Sequence, residues 1–203
     1  MNDDTLLSAL AALSGWEALA VVLSVTYLVL AVRQNPWCWA AALVSTAIFS
    51  VLFWRVQLPM QAALNVYYLG MAVYGWWQWT RGGATDAGLP VTRWSGVRQG
   101  LAMLLVLTAT VVAGRVLELH SAAARPYLDA FITFGAVVTT FMVARKVLDN
   151  WAWWMVINSL AVFLFLDRGL PLTAALHLAY LVISVFGWRR WRADYRDQST
   201  GQR

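Results

Sequence analysis

Seven apolar runs, joined by connections as short as four residues, leave this chain few possible folds. They are Trp16–Val32, Trp37–Trp54, Pro59–Trp79, Leu101–Leu119, Tyr127–Val143, Trp151–Leu166 and Pro171–Trp188. Each is close to the ~20 residues that a helix needs to cross a hydrocarbon core. The connections RQNP, RVQL and DRGL are short enough to force antiparallel neighbours. Hydrophobic residues make up 61% of the 203 positions and charged residues 12%, against about 25% charged in a soluble domain. The chain therefore reads as an all-α integral membrane protein of seven transmembrane helices. That composition excludes a disordered chain, a disulfide scaffold and an ordinary cytosolic enzyme. Cys38 is the single cysteine, and His120 and His177 are far apart. Neither a metal nor a cofactor is expected.

The basic residues set an orientation. With the N-terminus outside, four of the fifteen fall outside: Arg55, Arg115, Arg125 and Arg168. The other eleven fall on the cytoplasmic side, with Arg33, Arg145, Lys146 and the C-terminal arginines among them. The net charge of +5 is thus a topology signal, and no nucleic-acid partner is expected. The acidic start, 1–15, lacks the basic region of a signal peptide and reads as a short amphipathic lead-in.

The third and seventh spans repeat one another. PMQAALNVYYLGMAVYGWWQW aligns without gaps on PLTAALHLAYLVISVFGWRRW, with ten of 21 positions identical. Upstream, Trp37-Cys38-Trp39 aligns with Trp151-Ala152-Trp153, Ser45 with Ser159, and Thr26-Tyr27 with Thr140-Phe141. The offset then shifts from 114 to 112 in the short loop. The implied plan is two parallel three-helix repeats joined by a linker helix: lead-in 1–15, first repeat 16–79, polar loop and linker helix 80–126, second repeat 127–191 and basic cytoplasmic tail 192–203. An odd repeat needs the inserted helix to return the second copy in the same orientation. Parallel repeats of this kind build transporters whose site lies near the membrane midplane.

A small asymmetric ligand should be met where the copies differ. Trp151, Trp154 and Asn158 share one helix face. In the alignment above, Ala40 and Val44 stand in place of Trp154 and Asn158. Gln61, Asn65, Tyr68 and Met71 form a second stripe, with Thr173, His177, Tyr180 and Ile183 opposite them in the other copy. Polar side chains within spans face the bundle interior or a wet cavity. Neutral amides beside aromatic rings suit a planar heterocycle with an amide or hydroxyls, and an indole face attracts a cationic ring. Competing readings stand beside these. Asn65 and Asn158 also fit interhelical hydrogen bonding, and His177 also fits packing. Trp37, Trp54, Trp76, Trp77, Trp79, Trp188 and Trp191 read as interfacial belt residues. Trp151 and Trp153 fit belt and binding equally. Gly75 and Gly187 read as close helix contacts. No span carries a central charge, and no P-loop, HExxH or GxSxG motif is present. A uniporter, not an enzyme, is the simplest reading.

Two motifs then point to a family. Asn65, Tyr68, Met71, Tyr74, Gly75, Trp76 and Trp79 match N-x-x-Y-x-x-M-x-x-Y-G-W-x-x-W, and Trp151, Trp154 and Asn158 match W-x-x-W-x-x-x-N. With ARKVLDNW before them, these resemble the PnuC family of bacterial vitamin transporters. The resemblance implies a fold like that of SWEET sugar transporters and residence in the bacterial inner membrane. It implies uptake of nicotinamide riboside, a vitamin B3 form and NAD precursor, by facilitated diffusion with alternating access. Trapping would come from phosphorylation by a separate cytoplasmic kinase. W-x-x-W-x-x-x-N is associated with the nicotinamide riboside branch, while relatives carry thiamine, riboflavin or deoxynucleosides. By resemblance, binding roles pass to Trp151, Trp154 and Asn158, and to Asn65, Tyr68 and Gln61; many relatives have an acidic residue in place of Gln61. Met71 and His177 complete the expected lining. Thiamine or a nucleoside is the alternative cargo, a membrane-embedded enzyme or assembly partner the alternative class, and a homo-oligomer a further expectation.

Overall fold

A computed structural model describes residues 15–55, 59–83, 89–120, 125–169 and 171–200. The lead-in thus lies almost wholly outside the described residues. Seven helices coincide with the seven apolar runs: α1 (Gly15–Val32), α2 (Trp37–Arg55), α3 (Pro59–Arg81), α4 (Gly96–His120), α5 (Pro126–Ala144), α6 (Asn150–Asp167) and α7 (Pro171–Thr200). No strand occurs among the described residues. α4 and α5 are each long and apolar enough to cross a bilayer, and α1 and α2 carry shorter apolar stretches, Ala18–Val32 and Trp37–Val51. α3, α5 and α7 open on proline, whose fixed φ and missing N–H suit a first helical turn. α7 continues well past the seventh span, so the start of the basic tail is helical.

The chain forms two compact units, Met1–Leu89 and Pro90–Arg203. In the first, α2 packs between α1 and α3. In the second, α6 packs between α5 and α7, and α4 lies on α5. The α4–α5 contact is close because Gly114 admits the Tyr127 ring where a Cβ would overlap it.

The turns between the first two helices of each unit are built alike, and they correct the alignment of the repeats. Gln34 (φ 53°) and Lys146 (φ 47°) are the described non-glycine residues with left-handed backbone. Around Gln34, the N–H groups of residues 33, 34, 35, 38 and 39 donate to the carbonyls of 29, 31, 30, 35 and 36. Around Lys146, those of 145, 146, 147, 150 and 151 donate to 141, 143, 142, 147 and 148. Every pair is 112 apart. The offset of 114 for the first two helices is therefore wrong, and no shift occurs in the loop. Trp39, not Trp37, matches Trp151. Ala42 and Thr46, not Ala40 and Val44, stand opposite Trp154 and Asn158. Ser45 corresponds to Ile157, and Tyr27 to Thr139.

Candidate functional site

Each unit is centred on one aromatic nest. In the first, Trp39 lies over Gly75 and meets Trp79 edge-on, with ring centres 5.6 Å apart and planes at 87°. In the second, Trp151 lies over Gly187 and meets Trp191 edge-on, at 5.4 Å and 88°. A Cβ on either glycine would run into the indole. Edge-to-face geometry sets the positive ring edge against the negative face. All four indoles are buried. Both nests also bury the central indole N–H, of Trp39 and of Trp151, with no hydrogen-bond partner among the described residues. Trp79 and Trp191 are thus packing residues and not belt residues. Trp37, Trp54 and Trp77 are exposed, as a belt requires.

Trp151 is accordingly 1% exposed and holds α6 against α7. One turn on, Trp154 is half-buried, and Asn158 is 2% exposed. Asn158 Oδ1 meets His177 Nδ1 of α7 at 2.9 Å. His177 stacks on Phe165 at 5.1 Å and 23°, and meets Tyr180 edge-on at 5.6 Å. Asn158 and His177, expected from two separate stripes, are thus one hydrogen-bonded pair. The spacing within either stripe does not show this pairing, because it joins two different helices.

In the first unit, Asn65 and Met71 are buried on α3, and Tyr68 is half-buried with its ring 5.5 Å from that of Tyr67. The Gln61 side chain lies outside the described residues. The first unit has its own polar link at a different level: the Ser24 and Ser45 hydroxyls lie 2.7 Å apart, and each is within reach of the Ala20 carbonyl, at 2.9 and 2.8 Å, so their two protons serve two of these three contacts. Ala136 and Ile157 replace those serines in the second unit.

A strap positions the start of α6. The Thr92 N–H donates to the Lys146 carbonyl and the Leu148 N–H to the Thr92 carbonyl, at 3.0 and 2.8 Å. Arg93 places Nε and an Nη on Asp149 Oδ1 at 3.2 and 2.9 Å, and the Trp94 N–H reaches Oδ2 at 3.1 Å. Asp149 sits at the N-cap of α6 yet makes no side-chain cap bond, because its carboxylate is committed to the strap. Trp153, read as belt or binding, donates its indole N–H to Gln99 at 2.9 Å. At the other end of α6, Arg125 pairs with Asp167 at 2.6 and 2.8 Å. That hydrogen bond holds the Asp167 carboxyl, one residue past the sixth span, below its usual range.

The family model for nicotinamide mononucleotide transporters matches residues 14–193. The riboflavin/roseoflavin transporter RibM of Streptomyces davaonensis is 24% identical, covering 84% of this chain and 81% of that one. The nicotinamide riboside transporter PnuC of Escherichia coli is 21% identical, covering 93% and 89%. A crystal structure of the vitamin B3 transporter PnuC superposes with a TM-score of 0.69 at 21% identity, over 88% of this chain and 81% of that one.

Proposed function

This chain belongs to the nicotinamide mononucleotide transporter family, and from that premise we propose that it carries nicotinamide riboside across the bacterial inner membrane. A membrane transporter of a small molecule is what the family is; the cargo is our reading. The observation that carries it is the intact Trp151-x-x-Trp154-x-x-x-Asn158 face, with Asn158 buried and paired to His177. A half-buried indole next to a buried amide offers a face for a cationic pyridinium and a partner for a carboxamide. Trp151 contributes by fixing the helix from its nest, and Trp154 and Asn158 by contact. Asn65, Tyr68, Met71 and Gln61 are proposed to complete the lining.

Transport is facilitated diffusion with alternating access, with the N-terminus outside and the C-terminus cytoplasmic, and a cytoplasmic kinase traps the cargo. The absence of central charges in the sequence supports an uncoupled carrier. The match to RibM favours riboflavin as the second reading. Counterflow of labelled nicotinamide riboside in proteoliposomes without any ion gradient tests the proposal. Exchange is expected, with excess riboflavin and thiamine competing weakly. Dependence on Na⁺ or on a pH gradient overturns the uniporter, and stronger competition by riboflavin overturns the cargo.

A further inference from the structure

We infer that His177 is a positioning residue that fixes which way the Asn158 amide faces, so that the second repeat recognises a hydrogen-bond acceptor on its ligand. An asparagine oxygen can only accept. The ring nitrogen 2.9 Å from Asn158 Oδ1 must therefore carry a proton. Both the Nδ1–H tautomer and the imidazolium satisfy this. With Oδ1 committed, the Asn158 NH₂ takes no protein partner among the described residues and is left to donate.

The ring itself is held. Phe165 covers one face and the Tyr180 ring stands edge-on, so the plane of the ring is fixed, and a half-turn within that plane would put a C–H where Nδ1 meets Oδ1. In the first repeat, Thr46 and Asn65 occupy the positions of Asn158 and His177, so this lock belongs to one copy only. Resting on the proposed nicotinamide riboside reading, the ligand group met at Asn158 is the carboxamide oxygen and not its NH₂.

Two measurements on the full-length protein test this separately. With His120→Gln leaving His177 the one histidine, ¹⁵N-histidine spectra of the ligand-free protein should find Nδ1 protonated. A neutral ring bare at Nδ1 overturns the inference, because Nδ1 would then accept from Asn158 and turn its oxygen outward. The second uses three probes: nicotinamide riboside, 3-acetylpyridine riboside, which keeps the carbonyl but has no NH₂, and pyridine riboside, which has neither. The acetyl probe should bind within about threefold of nicotinamide riboside, and pyridine riboside about tenfold or more weaker.

In His177→Leu the preference for the carbonyl should shrink to about threefold or less while pyridine riboside binds as before. His177→Asn, which returns an N–H at that place, should restore it. A merely structural histidine would weaken all three probes together, and that result overturns the inference, as does an acetyl probe no better than pyridine riboside. If Nδ1 is protonated but nicotinamide riboside does not bind, the cargo reading fails and the orientation of Asn158 stands.

Discussion

The two three-helix repeats are alike where they pack and unlike where they are polar. Trp39, Gly75 and Trp79 have counterparts in Trp151, Gly187 and Trp191, with ring geometries that agree closely. At Ala42, Thr46 and Asn65, by contrast, the second copy has Trp154, Asn158 and His177. What joins the second helix of each repeat to the third is kept in both copies, and the polar face beside it is not. Because helices in lipid associate through close packing, a glycine under an indole is a contact that neither copy can lose cheaply.

The largest effect should come from breaking what is shared. Gly75→Ala and Gly187→Ala each push a methyl into an indole. Each should destabilise by about 1–3 kcal/mol, read as a fall in thermal unfolding temperature in detergent. A loss confined to one variant would break the equivalence of the nests. Next comes what differs. Trp154→Ala or Asn158→Ala should weaken nicotinamide riboside at least tenfold, about 1.4 kcal/mol, in equilibrium binding. Thr46→Ala, at the corresponding place, should change it less than about threefold. Equal effects at Thr46 and Asn158 would return the task to both copies.

A smaller effect belongs to the strap, whose carboxylate has no counterpart in the first repeat, where Trp37 stands in place of Asp149. Arg93→Ala removes two charge-assisted bonds from a buried carboxylate. As Arg93 is half exposed, the cost should be about 1 kcal/mol. Protease cleavage near residues 91–95 should accelerate, and unchanged protection would mean that the backbone bonds at Thr92 suffice.

The smallest effect should be acid sensitivity at Asp167. Arg125 depresses its carboxyl in the folded protein. The stabilisation is therefore full above the unfolded value of about 3.9 and is lost as pH falls through the lower folded value. Wild-type protein and Asp167→Asn should differ slightly in unfolding temperature near neutral pH and converge well below pH ~4. A gap that widens in acid would reverse the assigned sign.

The helices were legible because hydropathy and proline placement mark the ends of spans, and the third and seventh spans because Pro, Gly and Trp recur there. The register of the second and sixth spans was not. W-x-W occurs in both, so a slip of two residues still sets Trp on Trp, and the apolar letters between carry little information. What fixes the register is the turn, where Gln34 and Lys146 share a left-handed backbone that composition does not reveal. In the sequence Asp149 is one letter of ARKVLDNW and Arg93 one of the eleven basic residues assigned to the cytoplasmic side. Their union depends on a fold that brings residues 56 positions apart together. The partnership of Asn158 and His177 is likewise a fact of packing, since either alone is an unremarkable polar residue in a span.

α4 is fastened at both ends to the helices that follow it. Residues just before it bond to the α5–α6 turn, and near its far end Glu118 accepts from the Tyr127 hydroxyl at 2.9 Å. The helix inserted between the repeats is thus a dowel glued into the second half. As a piece of joinery, the protein is a part of three helices followed by a part of four, and a gene cut between codons 83 and 90 would divide it along its own grain.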